Sequence, residues 1–330
     1  MPKNLQQLSK GEKVDHFLLI KKLESKKTKT GSEYLDIELS DNSASVNAKF
    51  WNNFEDFKSY AEAGTVVKVS GVVEEFNGNK QIKILSARAA TEDDNVSIDD
   101  FVPKSKRDPD EMIAELKSRI EKIENDYLKR LLKLILVGKR FEKYTRVPAG
   151  KAWHHSYIHG LLEHTLEIIK ICDLMCNIHP EVNRDLLISG AILHDFGKTE
   201  ELSAGLTFDY TTKGKLLGHI VIAAMEIEKE AKKIEWFPED LKDQLIHLVL
   251  SHQGKLEFAS PVVPRTLEAI ILYHADELSA KTNAYKNAIE KDASDGEWTG
   301  FIRLAGTELL KEKISNEPDE DPENIHSLFD

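Results

Sequence analysis

The sequence predicts a multi-domain α and β protein: a five-stranded β-barrel at the N-terminus, then an all-α helical bundle. Three observations carry this expectation. Residues 1–90 contain five short apolar or alternating runs separated by turn residues. From Asp108 onward, apolar residues recur at helical spacing. Between the two regimes lies a polar, acidic stretch, residues 91–109, with Pro103 and Pro109. The expected divisions are a barrel over 1–90, a linker over 91–109, a helical domain over 110–312 and an acidic, disordered tail over 313–330.

The strands come first. Val14 to Ile20 is an apolar run, and Tyr34 to Leu39 and Ser45 to Trp51 alternate with period two. Thr65 to Val73 and Gln81 to Leu85 follow. Gly31-Ser32, Asp41-Asn42 and Asn77-Gly78-Asn79 supply turns, the last a strong hairpin signal. A short helical stretch, Phe54 to Ala63, interrupts between the third and fourth strands. Phe50 and Trp51 are adjacent in an alternating run, so one of them must face the core.

Composition narrows the function classes. With 330 residues the chain is comfortable as two domains. No apolar run reaches the roughly 18 residues of a membrane span, and Met1 to Gln7 lacks a signal peptide's apolar stretch. The expectation is a cytoplasmic protein with no membrane partner. Cys172 and Cys176 read as reduced core thiols, with a C-x₃-C metal pair as the weaker alternative. Net charge is −12, which argues against broad coating of nucleic acid. Yet residues 1–90 carry 13 Lys and 1 Arg against 12 acids, and six acids without a base crowd Glu317 to Asp330. A local basic groove remains compatible with that distribution.

The helical half opens with a cap: Asp108, Pro109 at the first position and Glu111 three after the cap. Chemistry is concentrated further on. His164 sits among the apolar positions of Leu161 to Ile169, and His194-Asp195 ends the apolar run Asp185 to Asp195 just before Gly197. Asp276 lies inside the apolar Ile270 to Leu278. A buried carboxylate is expensive unless paired or metal-bound. Adjacent helical residues point about 100° apart, so His194 and Asp195 can serve one ion only at a terminal turn. Three apolar helices that each turn a polar group inward form a ligand set, with His219 and His252 lying between His194-Asp195 and Asp276. Imidazoles with carboxylates suit Mn²⁺, Fe²⁺, Co²⁺ or Zn²⁺.

The strand order with its helix between strands three and four resembles OB-fold nucleic-acid-binding domains. That resemblance implies single strands lying across strands two and three, with Lys29, Tyr34, Lys49 and Trp51 as candidates, beside Lys26 and Lys27. The order His164, His194-Asp195, Asp276, with Lys198 in His-Asp-x-Gly-Lys, resembles the HD-domain superfamily of metal-dependent phosphohydrolases. Its binuclear branch adds two histidines between the HD pair and the last Asp, and His219 and His252 fit there. Taken whole, with Trp153 to Thr165, the chain is similar to the YhaM-type 3′→5′ exoribonucleases. One departure is His252-Gln253-Gly254, where relatives often carry two adjacent histidines.

The resemblance implies hydrolysis of single-stranded RNA, with single-stranded DNA as a second substrate, by two divalent ions. Mn²⁺ leads, with Co²⁺, Fe²⁺ or Mg²⁺ behind it. His164, His194, Asp195 and Asp276 would hold one ion; Asp195, His219 and His252 would hold the other. His194, Asp195 and Lys198 are the catalytic candidates; Lys198 is either a phosphate contact or a helix-end lysine complementing the dipole. The loop Tyr144 to His155 offers Arg146, Lys151 and His155 as phosphate contacts, and Trp153 or Tyr157 as a stacking surface. Trp153 could equally pack the loop down. His247 competes with His252, and His274 is expected in the core or behind the ligands. His16, His179 and His326 have no partner in the pattern. A homo-oligomer is compatible with the apolar helices beyond Asp276. The rival functions are an HD phosphohydrolase of nucleotides or cyclic dinucleotides, and a non-catalytic nucleic-acid-binding protein.

Overall fold

The structure, a computed structural model, describes residues 4–76, 79–96, 100–151, 153–203, 209–292, 296–303 and 305–311. The chain forms two compact units, Met1–Asn283 and Ala284–Asp330.

In the first unit the strands β1 (Lys13–Lys27), β2 (Glu33–Ser40), β3 (Ser45–Phe50), β4 (Val66–Phe76) and β5 (Asn79–Ala89) close a barrel in the order β1-β2-β3-β5-β4. The β3–β5 pairing is parallel and the others are antiparallel. Helix α1 (Glu55–Tyr60) lies between β3 and β4. Alternation turns Leu35, Ile37, Leu39, Val67, Val69 and Val73 inward, and each is buried. Burying such a side chain contributes about 1.5–3 kcal/mol, and closure leaves no free edge for another chain to pair with. Asp41 shapes the β2–β3 turn: its Oδ1 accepts from the Ser43 and Ala44 amides at 2.7 and 2.9 Å. The turn residues Asn77 and Gly78 lie outside the described residues.

Register settles the Phe50/Trp51 alternative. Leu35 pairs with Phe50 and Asp36 with Lys49. Phe50 is in the core, where it packs edge-on against Phe54 and Phe57. The opposite face therefore carries Tyr34, Lys49 and, just past the end of β3, Trp51.

The segment between barrel and helices is more than a spacer. Phe101 and Val102 are buried in a small cluster with Leu19 of β1 and Ile158. Lys104 makes a parallel bridge to Ile158, and the Ile158 amide donates to the Pro103 carbonyl at 2.8 Å. Barrel and helices thus share one compact unit.

Helices α2 (Pro109–Glu121), α3 (Asp126–Ile135), α4 (Gly138–Arg146), α5 (Gly160–Ile178), α6 (Arg184–Leu193), α7 (Lys198–Glu201), α8 (Thr212–Ala231), α9 (Glu239–Ser251) and α10 (Leu267–Lys291) follow. Asp108 caps α2, accepting from the Asp110 and Glu111 amides. Helix α6 is the central rod, with every residue from Leu186 to Leu193 buried. Tyr144 of α4 ties its neighbours together. Its hydroxyl donates to the Ile192 carbonyl at 2.8 Å and lies 3.0 Å from Thr165 Oγ1 of α5.

One expectation is corrected in the second unit. The helical reading ran to about residue 312, but α10 ends at Lys291. Beyond it Trp298 bridges Leu310 and Ile302 bridges Thr307, both antiparallel. Gly306, at φ 70°, supports that reversal and cannot extend a helix. The acidic tail over 313–330 lies outside the described residues.

Candidate metal centre

Each candidate ligand is delivered by a local device. Helix α6 stops at Leu193, so His194 caps it and Asp195 enters the turn that leads into α7. That change of direction lets adjacent side chains converge, with His194 Nε2 3.3 Å from Asp195 Oδ2. Gly197 permits the next approach: a Cβ there would lie 2.0 Å from the His219 carbonyl oxygen. Helix α8 is kinked at Gly218, whose φ of 71° and ψ of 154° are open essentially to glycine alone. The kink presents His219, whose amide donates to Glu201 Oε1 at 3.0 Å. His252 caps the end of α9, and Asp276 projects from α10 opposite His164 of α5.

The tautomers follow from the partners. His194 Nδ1 lies 2.8 Å from the Ala191 carbonyl and His252 Nδ1 2.6 Å from the Val249 carbonyl. His219 Nδ1 lies 3.2 Å from the Glu201 carboxylate. Carbonyl and carboxylate oxygens only accept, so each Nδ1 donates and each Nε2 keeps a lone pair. The Nε2 atoms of His194, His219 and His252, together with Asp195 Oδ1, are buried without a hydrogen-bond partner. Orphaned buried acceptors of this kind cost about 1–3 kcal/mol each unless something electropositive meets them.

Asp195 lies at the centre. Its Oδ2 is 3.3 Å from His194 Nε2 and 3.9 Å from His164 Nε2; its Oδ1 is 3.3 Å from His219 Nε2 and 3.7 Å from His252 Nε2. Asp276 Oδ1 lies 3.0 Å from His164 Nε2. Two atoms each about 2.0–2.2 Å from one ion sit roughly 3–3.5 Å apart; the 3.0 and 3.3 Å spacings match that, and the 3.7 and 3.9 Å ones lie just outside it. Two clusters result, His164/His194/Asp195 and Asp195/His219/His252, joined by the two oxygens of one carboxylate. The residues present fit a pair of divalent ions.

Electrostatics agree with that fit. Burial holds the His252 imidazole down at about 4, and burial with neighbouring His155 and His194 holds His164 well below its ordinary value. Both are neutral, the form that binds metal. Burial alone would raise Asp195, but the Lys198 ammonium and His194 outweigh it and keep the carboxyl well below its usual range. Burial would lower His194 too, yet the Asp195 carboxylate wins and raises it. The same negative field favours a cation between Asp195 and the imidazole lone pairs.

Other candidates are placed less uniformly. Lys198 is buried, with Nζ 2.5 Å from Asp195 Oδ2 and a second hydrogen bond to the Ala149 carbonyl. It faces the bridging carboxylate, whereas a lysine reserved for substrate would face open solvent. His155 is not on the loop surface as expected. It is fully buried, behind His164 and 3.2 Å from Glu167. His155 sits at φ 41°, a reversal that periodicity does not foresee. Its neighbour His154 is half-buried, yet both its ring nitrogens are buried without hydrogen-bond partners, 5.2 Å ring to ring from His164. Burial pushes its imidazole down to about 2. Arg146 is exposed, and Lys151 pairs with Asp209 at 2.6 Å and lies over the Tyr210 ring. Trp153 is half-buried. Tyr157 donates to Glu163 at 2.9 Å and receives Asn283 at 3.3 Å.

On the barrel, Trp51 is 38 % exposed and stacks on Tyr34 with centroids 4.6 Å apart. Lys49 Nζ lies 5.3 Å above the Tyr34 ring, while Lys29 stands exposed on the β1–β2 turn. His247 is explained by structure: its Nε2 accepts from the Arg265 amide at 3.0 Å. His274, expected in the core or behind the ligands, has a largely exposed side chain against Tyr273 and near Glu277. His326 lies outside the described residues. Cys172 is buried and Cys176 half-buried, both free thiols, and neither joins a ligand cluster among the described residues. Sequence reasoning missed Glu201 and His154. Glu201 has a faint signal, lying three residues after Lys198 on one helical face; His154 has none.

Comparison with known proteins places this geometry. Residues 161–281 match the HD domain family, and residues 20–89 match the OB-fold nucleic acid binding domain family. The 3′-5′ exoribonuclease YhaM of Geobacillus sp. (strain WCH70) is 36% identical over 303 residues, 92% of each chain. That of Bacillus subtilis (strain 168) is 35% identical over 289 residues, 88% of this chain and 91% of its own. With both domains matched, the ligand order intact and most of each relative's length covered, the chain belongs to the family of the YhaM 3′-5′ exoribonucleases.

Proposed function

We propose that the protein is a metal-dependent 3′→5′ exoribonuclease that hydrolyses the phosphodiester bonds of single-stranded RNA, with single-stranded DNA as a second substrate, and releases nucleoside 5′-monophosphates. The observation that carries this reading is the bridging position of Asp195 between two imidazole sets. His164, His194, Asp195 and Asp276 would hold one ion, and Asp195, His219 and His252 the other, Mn²⁺ by preference over Co²⁺, Fe²⁺ or Mg²⁺. Such a pair supplies an activated water and offsets charge on the phosphoryl oxygens. Lys198 holds Asp195 in its ionised state from within 2.5 Å. The Tyr34–Trp51 stack with Lys49 above it offers a face for bases and a charge for backbone. Arg146 and Lys151, near the first ligand helix, are suited to the terminal phosphates.

The barrel, 1–90, would hold the upstream strand, joined through 91–109 to the hydrolytic helices that run from α2 to the end of α10 at Lys291. No helix among the described residues is long and apolar enough to cross a membrane. A cytoplasmic site of action follows from the RNA substrate and the free thiols. Single-stranded RNA labelled at its 5′ end tests the reading, with Mn²⁺, with chelator, and with Asp195→Ala. A Mn²⁺-dependent ladder shortening from the 3′ end, absent in the variant, is the expected result. RNA that is bound but left intact would favour a binding protein. Failure to bind would favour a nucleotide-sized substrate.

A further inference from the structure

His164 is held differently from the other three ligand histidines. Two of those rest Nδ1 on a backbone carbonyl of their own helix and the third on Glu201. His164 Nδ1 instead lies 2.9 Å from Ser279 Oγ, on α10. The Ser279 hydroxyl donates to Glu167 Oε2, back on α5, at 2.6 Å. His155 Nε2 lies 3.2 Å from that same oxygen. Spacing in sequence builds the arrangement. Glu167 is three residues after His164, and Ser279 three after Asp276, so each stands on the same helix face as a ligand, one turn away.

We propose that Ser279 and Glu167 are positioning residues for the His164 ligand: a carboxylate–hydroxyl–imidazole relay that fixes its tautomer and ties together the two helices carrying His164 and Asp276. The argument is proton bookkeeping. A hydroxyl has one proton. Ser279 gives it to Glu167, so Ser279 Oγ can only accept from His164. Nδ1 must therefore carry the hydrogen, and Nε2 keeps the lone pair that faces Asp276 and Asp195. Ring rotation is blocked as well, because Nδ1 is anchored on a different helix.

A competing reading makes His155, His164 and Glu167 a third ion site, since their donor atoms also cluster. His164 has only Nδ1 left for it, and that nitrogen carries a hydrogen toward Ser279. The relay accounts for the contact without asking one imidazole to bind two ions.

The inference rests on the metal-pair reading but not on the identity of the substrate. Its test is Mn²⁺ titration of the full chain, followed by the electron paramagnetic resonance signal of free Mn²⁺, for wild type, Ser279→Ala and Ser279→Thr. Wild type should take up two equivalents. In Ser279→Ala one equivalent should weaken by about 10–100-fold, the usual effect of losing an outer partner of a ligand histidine. The other, held by His219 and His252, should be unchanged, and Ser279→Thr should restore both. The ¹⁵N spectrum of metal-free Ser279→Ala should lose the Nδ1–H form at one histidine. If Ser279→Ala does not fold, Glu167→Ala attacks the relay from the other end. It frees the Ser279 proton for Nδ1 and should weaken the same equivalent. Titrations identical to wild type, equal weakening of both equivalents, or a third equivalent in wild type would each overturn the relay. A wild type that binds two Mn²⁺ but spares RNA defeats the exonuclease reading and leaves the relay standing; a wild type that binds none overturns both.

Discussion

Asp195 is 2% exposed and ionised, beside four imidazoles and a buried ammonium. A buried carboxylate is tolerated only if paired, hydrogen-bonded or metal-bound, and here all four histidine Nε2 atoms turn toward its two oxygens. Asp195→Asn keeps the shape and removes the charge. It should abolish binding of at least one Mn²⁺ and lower turnover about a thousandfold, equivalent to about 4 kcal/mol at 1.36 kcal/mol per decade. Single-turnover assays with metal analysis check both. At this scale the candidate cluster was legible in the sequence: His164, His194, Asp195 and Asp276 through their places in apolar helical runs taken together, His219 and His252 through the family resemblance. His155 was not. Among the described residues of the loop from Val147 to His159, His155 and His159 have positive φ, and no periodic rule predicts which of two neighbouring histidines such a loop buries.

Elements aim these groups through their ends. His194 and His252 cap α6 and α9, and Gly218 breaks α8 just before His219. Gly218→Ala would place a Cβ in a backbone region costing about 1–3 kcal/mol. The expected outcome is a straightened α8 and loss of the ion held by His219 and His252, with the other retained; Mn²⁺ stoichiometry measures it. In the barrel, pairing of Leu35 with Phe50 sends Tyr34, Lys49 and Trp51 to the outer face. Trp51→Ala should weaken binding of a long single-stranded RNA by about 1–3 kcal/mol while leaving cleavage of a dinucleotide unchanged. Fluorescence anisotropy with the two substrates separates these effects. Alternation in the sequence showed that one of Phe50 and Trp51 must face inward. Only the register of three strands decided which.

Across the whole helical body, ion pairs hold the layers that back the centre. Arg140 of α4 reaches Glu226 and Glu230 of α8 and donates to the Leu134 carbonyl of α3 at 2.6 Å. Burial would raise the Glu230 carboxyl, but Lys233 and Arg140 outweigh it and hold it below its ordinary 4.5. A carboxyl depressed in the folded state stabilises fully above its unfolded value, and that contribution disappears as pH falls through the lower folded value. Glu230→Gln should therefore cost about 1 kcal/mol at neutral pH, a modest figure because Arg140 and Lys233 keep access to water. The gap from wild type should close below pH 4.5, which urea melts at two pH values would show. The sequence by itself determined the two architectures and singled out the candidate ligand residues, because strands and helices are written in local periods of two and 3.6 and the candidates fall in a recognisable order along the chain. The tertiary structure alone decided that Asp195 lies between both imidazole sets, that His155 packs against His164 and Glu167, and that Ser279 and Glu201 stand against the Nδ1 atoms of His164 and His219. Those facts depend on which helix faces which, a matter of contacts between residues far apart in the chain that no local pattern encodes.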